Sequence, residues 1–140
     1  MSVEENMRKQ RLVFEEVLNK GNSDIIQDVF SPEYSFTSAR GIKIGGTEAK
    51  QSTLMLRAAF PDLHCEVEDM FGIDDKVVTR YTLSGTFENE FGGTAPSGKR
   101  FEVPVILITQ WLDGKEIHGW ECMDTLGLRQ QLGLIASEQP

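Results

Sequence analysis

Two long strand-like runs, Arg100 to Leu112 and Lys115 to Asp124, are separated only by Asp113-Gly114. Asp-Gly between alternating segments is a strong two-residue hairpin signal, so the carboxy-terminal half contains a long antiparallel pair. Period-two alternation in KEIHGWECMD puts Glu116, His118, Trp120, Cys122 and Asp124 on one face. Ile117, Gly119, Glu121 and Met123 fall on the other. The first face holds an indole and a thiol, which favour burial, and ends in a carboxylate that is costly to bury alone. A carboxylate beside an aromatic ring in an enclosed site is how a fold prepares a general acid or base, and this makes Asp124 the candidate for chemistry. Asp124 is equally placed to cap a helix from Thr125 to Leu134, and the two roles are compatible.

The amino-terminal half reads as helical. Val3, Met7, Phe14, Val17 and Leu18 recur at helical intervals over residues 3 to 20, and Gly21 stops the helix. Asn22 or Ser23 caps a shorter helix with Ile25, Ile26, Val29 and Phe30 on its buried side, which Pro32 ends near Ser31. Glu33 to Thr37 reads as a short strand, followed by a loop with Gly41, Gly45 and Gly46. Thr47 caps a third helix reaching Phe60, with Pro61 beyond it. Leu63, Cys65 and Val67 then alternate with polar residues, and Asp74-Asp75 turns the chain into Val77 to Gly85. A polar segment from Glu88 to Gly98 precedes the long hairpin. The expectation is an α+β domain over residues 1–140: three amino-terminal helices, a curved, mostly antiparallel sheet and a short carboxy-terminal helix. The last residues, ASEQP, read as frayed.

In the long strand, Val103, Val105 and Leu107 lie on one face and Ile106 and Ile108 on the other. Helices cover one face only, so a second copy of the chain is the economical cover for the other, and a homodimer or tetramer is expected. The net charge of −8 disfavours nucleic acid and anionic membrane surfaces as partners. With no apolar leader in MSVEENMRKQR and no membrane-length apolar run, a cytoplasmic location is expected. Gly93 to Arg100 approaches a phosphate-binding loop, but Arg100 stands where Ser or Thr is needed and a strand follows. His64 and His118 have no ligand-spaced companions, so no metal is expected.

Several stretches together resemble the SnoaL-like polyketide cyclases, also called ester cyclases. They are Ala59-Phe60-Pro61-Asp62-Leu63, the loop from Gly85-Thr86-Phe87 to Pro96-x-Gly98-Lys99, Asp113-Gly114-Lys115-x-Ile117, and Trp120-x-x-x-Asp124 running on to Gln131-Leu132-Gly133. The resemblance implies an NTF2-like cone enclosing a deep apolar pocket, no cofactor, and an apolar small-molecule substrate. It implies that Asp124 moves a proton at an activated carbon during intramolecular aldol ring closure, with the Gln110 amide donating to the developing enolate. Trp120, Phe87, Thr37, Tyr34 and Cys122 are the implied pocket residues; family members often carry histidine where this chain has Thr37 and Phe87. Two other readings use the same pocket: a non-catalytic small-molecule binder, and a hydrolase or isomerase.

Overall fold

A computed structural model describes residues 2–136; the last four residues of the stretch expected to fray lie outside them. Helix α1 (Val3–Leu12) begins at Ser2, whose hydroxyl accepts from the Glu5 amide at 3.2 Å. Glu4 and Glu5 in its first turn suit the positive end of the helix dipole. The helix runs directly into a π-helical segment, Val13–Asn19, a rare geometry found mostly near functional sites. Gly21, at φ 72°, ends it. Asn22 caps a 3-10 turn, Ser23–Ile25, which passes into the single-turn helix α2 (Ile26–Val29).

Strand β1 (Phe30–Ser38) follows, then β2 (Lys43–Gly45), helix α3 (Gly46–Ala59), β3 (His64–Ile73), β4 (Lys76–Thr86), β5 (Arg100–Leu112), β6 (Lys115–Met123) and helix α4 (Thr125–Gln131). The six strands form one curved sheet in the order β2-β1-β6-β5-β4-β3. Every pairing is antiparallel except β1 with β6. The hairpin turn forms as its residues demand: Asp113 and Gly114 both take positive φ, 50° and 78°.

The α+β architecture agrees with the expectation, and the differences are local. β1 starts three residues earlier than Glu33 and tolerates Pro32, because its register with β6 breaks between Phe30 and Ser35. β2 lies in a segment that glycines mark as loop, and Gly45 rather than Thr47 is the N-cap of α3.

Helices and the inner sheet face enclose two apolar clusters. One joins Phe14, Phe60, Leu63, Phe87, Phe101 and Leu132 to the middle of β3–β5; the other joins Val13, Val17 and Val29 to Val77 and Trp111. Buried Trp111 keeps its indole N–H paired by donating to Thr109 Oγ1 at 2.9 Å.

One irregularity decides what the inner face carries. Gln110 pairs with His118 but Trp111 pairs with Glu116, so Ile117 is an extra residue in β6. The bulge flips the alternation. Glu116 points inward at 3% exposure, and Gly119, Glu121 and Met123 follow it to the inner side. His118, Trp120 and Cys122 stand on the outer face beside Ile106 and Ile108. The common face expected for Glu116 and Trp120 is thereby corrected.

Candidate functional site

A cavity of about 550 Å³ lies between the inner sheet face, α1 with its π segment, α2, the start of β1, and α3. That volume suits a drug-sized ligand. Its walls are mostly apolar, from Val13, Phe14, Phe36, Leu56, Leu107 and Met123. Into this setting project Gln10, Tyr34, Tyr81, Glu116 and Glu121, with Lys50 at the exposed rim.

The two glutamates come from the bulged strand, and each is matched to a tyrosine. Tyr81, from β4, donates to Glu121 Oε1 at 2.5 Å. Burial raises the Glu121 pKa above the ordinary carboxylate value, and the Tyr81 hydrogen bond opposes the rise. Burial pushes Glu116 up to about 8, with the neighbouring Tyr34 hydroxyl opposing the rise. Both phenols are themselves raised, first by burial and then by the neighbouring carboxylate charges, so they remain donors at neutral pH.

Packing fixes these groups. The Tyr34 ring meets Phe30 edge-on at 4.8 Å, and Tyr81 lies 4.9 Å from Phe14. Gly119 leaves room for the pair: a Cβ there would sit 2.9 Å from the Tyr34 hydroxyl and 3.6 Å from Glu116 Oε2. The arrangement therefore offers one carboxyl, Glu116, that burial keeps protonated at neutral pH and able to donate, and a second, Glu121, held by a phenol, both in an apolar enclosure.

Of the side chains expected at the site, only Tyr34 lines this cavity. Asp124 is exposed, and its Oδ1 accepts from the Gly127 amide at 2.9 Å as the N-cap of α4. Being beyond the inward-facing Met123, its side chain turns to solvent rather than inward. Trp120, 37% exposed, is on the outer face, packed edge-on against His118 at 4.2 Å. Cys122 is exposed on that same face. Gln110 also faces outward and donates to Asp75 at 2.8 Å. Thr37 Oγ1 bonds His118 Nε2 at 3.0 Å, while Ser35 occupies Nδ1 at 2.5 Å. That histidine is held toward its neutral form by burial and by the charge of Lys43. Phe87 is a core residue, 1% exposed and stacked on Phe60 at 5.3 Å.

Sequence reasoning missed Gln10, Tyr81, Glu116 and Glu121 as site residues. Gln10 had a signal, since it interrupts the apolar helical stripe of Met7, Phe14 and Val17. Glu116 had none, because nothing in KEIHGW announces a bulge at Ile117. Among the described residues no three His, Cys, Asp or Glu side chains converge on one point, and no helix is long and apolar enough to cross a membrane.

Comparison with known proteins places this geometry in a family. The family model of the SnoaL-like polyketide cyclases matches residues 9–132. The aklanonic acid methyl ester cyclase AcmA of Streptomyces galilaeus is 29% identical over 127 residues, covering 84% of this chain and 84% of its own. Among solved structures, AclR of Streptomyces galilaeus, provisionally a hydroxylase, superimposes with a TM-score of 0.87 at 24% identity, covering 99% of this chain and 87% of its own. TsrD of Streptomyces laurentii does so with a TM-score of 0.85 at 26% identity, covering 96% and 99%. A sheet wrapped round an apolar, acid-lined cavity thus agrees with the sequence match over nearly the whole chain, which belongs to the SnoaL-like polyketide cyclase family.

Proposed function

We propose that the chain is a cyclase that moves protons at carbon without a cofactor and closes a ring in a polyketide-like small molecule by intramolecular aldol addition. Glu121 and Glu116, rather than Asp124 and Gln110, are its base and acid. The observation that carries this reading is the pair of buried carboxyls, each against a tyrosine, on one wall of the cavity.

The Glu121 carboxylate, stabilised as an anion by the Tyr81 hydroxyl, takes the proton from a carbon flanked by carbonyls. The resulting enolate carbon attacks a second carbonyl of the same molecule, forming the new carbon–carbon bond. The oxygen of that carbonyl takes its proton from the Glu116 carboxyl, which burial keeps protonated at neutral pH. Proton return from Glu121 to Glu116 through water restores both groups, and no atom is gained or lost. AcmA, by name, acts on a methyl ester; a neutral ester or ketone also suits a cavity whose buried ionisable groups are acidic.

The test is proton exchange. In deuterated water, the wild type is expected to speed deuterium uptake at the central carbon of an aromatic β-diketone, read by NMR. Glu121→Gln is expected to lose that acceleration, about 10²- to 10⁴-fold for a general base. Unchanged exchange in Glu121→Gln rules out Glu121 as the base.

The outer sheet face supports a second proposal, a homodimer. Ile106 is 49% exposed and lies across the strand pair from Cys122, beside Trp120. A second copy laid on this face removes that apolar surface from water.

A further inference from the structure

Helix α3 lays one stripe along the cavity, since Gly46, Ala49, Lys50, Thr53 and Leu56 all line it at helical spacing. Thr53 turns its hydroxyl back onto the Ala49 carbonyl at 3.1 Å, so the stripe would be apolar throughout but for Lys50. Among the described residues that line the cavity, Lys50 is the only cation. Two neighbouring cations are engaged by carbonyls. Arg57, further along the helix, donates to Leu18 and Asn19 at 2.6 and 3.1 Å, and Lys115 donates at 2.8 Å to the carbonyl of Gln27, itself a lining residue. Lys50 forms no ion pair among the described residues, and Glu48, the nearest acid in its helix, is outside the cavity wall.

The cavity is therefore divided by charge. On the sheet wall the ionisable groups are the carboxyls of Glu116 and Glu121, which disfavour any anion brought in beside them. Burial and a tyrosine hydroxyl set the pKa of each glutamate, with no part from the Lys50 ammonium, so cation and acids stand apart. We propose that Lys50 is a specificity-determining residue that holds a carboxylate at the cavity mouth, which makes the substrate class an aromatic keto acid that enters ketone first. The inference rests on the cavity being the ligand site and names the substrate of that site. The carboxylate stays at the solvated rim, where it needs no burial, while the neutral diketone reaches Glu121. Lys50 thereby sets which end of the molecule reacts. The contact is local: a net charge of −8 repels anions at a distance, so a preference for an acid over its neutral ester must come from this ammonium.

The test compares 4-(3-oxobutanoyl)benzoate with its methyl ester, each titrated by calorimetry into the full chain at neutral pH. In low salt the wild type is expected to bind the acid about fivefold more tightly, the scale of one exposed ion pair. That preference shrinks toward parity at high salt, because the pair is open to solvent. In Lys50→Met the ester becomes the tighter ligand, since only the repelling field remains, and Lys50→Arg keeps the preference for the acid. Both replacements are good helix formers at an exposed position, so the fold is retained. A wild type that binds the two equally or favours the ester, or a preference that survives Lys50→Met or ignores salt, overturns the role of Lys50 while leaving the cavity as the site. Failure of the wild type to bind either compound overturns the cavity reading with it.

Discussion

Replacing Glu116 by glutamine should make the protein more stable at neutral pH, and the gain should depend on pH in a defined way. The Glu116 carboxyl lies at about 8 in the fold against an ordinary 4.5. Below 4.5 both the folded and unfolded chains hold this proton, so the group contributes no pH dependence. Between the two values the unfolded chain releases the proton and the folded chain keeps it. Stability therefore falls as pH rises through this window, by up to about 1.4 kcal/mol per pH unit. At pH 7 the accumulated loss is roughly 3 kcal/mol, set by the 2.5 units above 4.5. Glutamine cannot ionise and is close in volume. The difference in unfolding free energy between variant and wild type should be near zero at pH 4.5 and grow to roughly 3 kcal/mol at pH 7. Urea unfolding at four pH values, with both proteins measured side by side, reads this difference directly. Contributions from Glu121 and His118 are common to both and largely cancel. Parallel stability curves across the window would refute the claim that burial holds Glu116 protonated.

Two further outcomes test the surroundings. Gly119→Ala puts a methyl group 2.9 Å from the Tyr34 hydroxyl, so tyrosine and Glu116 must separate; turnover should fall while far-ultraviolet circular dichroism stays native. On the outer face, Ile106→Asp puts a charge into the exposed patch, and light scattering after gel filtration should show the dimer replaced by monomer. A wild type that runs as a monomer at micromolar concentration would refute the dimer outright.

Much of the fold was legible because local signals agreed with one another. Asp113-Gly114 allows essentially one hairpin, the stripe from Val3 to Leu18 allows one amphipathic helix, and Gly21 punctuates the chain where the structure turns. The parallel pairing of β1 with β6 was not legible, since it joins residues some 80 positions apart and leaves no local trace.

The site was far less legible, for one main reason. Strict alternation assigns Glu116 to the face of Trp120, and a single extra residue at Ile117 moves it to the opposite one. The indole and thiol that made the outer face look like a pocket wall are exposed there, and the glutamate on the supposedly outer side, Glu121, faces the cavity. Asp124 was ambiguous for a related reason. Its position after the strand satisfies both the cap and the acid/base pattern, and the geometry gives it the cap. Tyr34 does line the cavity, because β1 carries it inward whatever the register of β6.

The most direct measurement compares cyclisation by two variants, Glu121→Gln and Asp124→Asn, on the same aromatic polyketone ester in single-turnover conditions. Glu121→Gln should lose ring closure, whereas Asp124→Asn should keep it, because asparagine caps a helix as well as aspartate does. Loss of ring closure in Asp124→Asn with normal activity in Glu121→Gln would contradict the assignment of the chemistry to the acid-lined cavity.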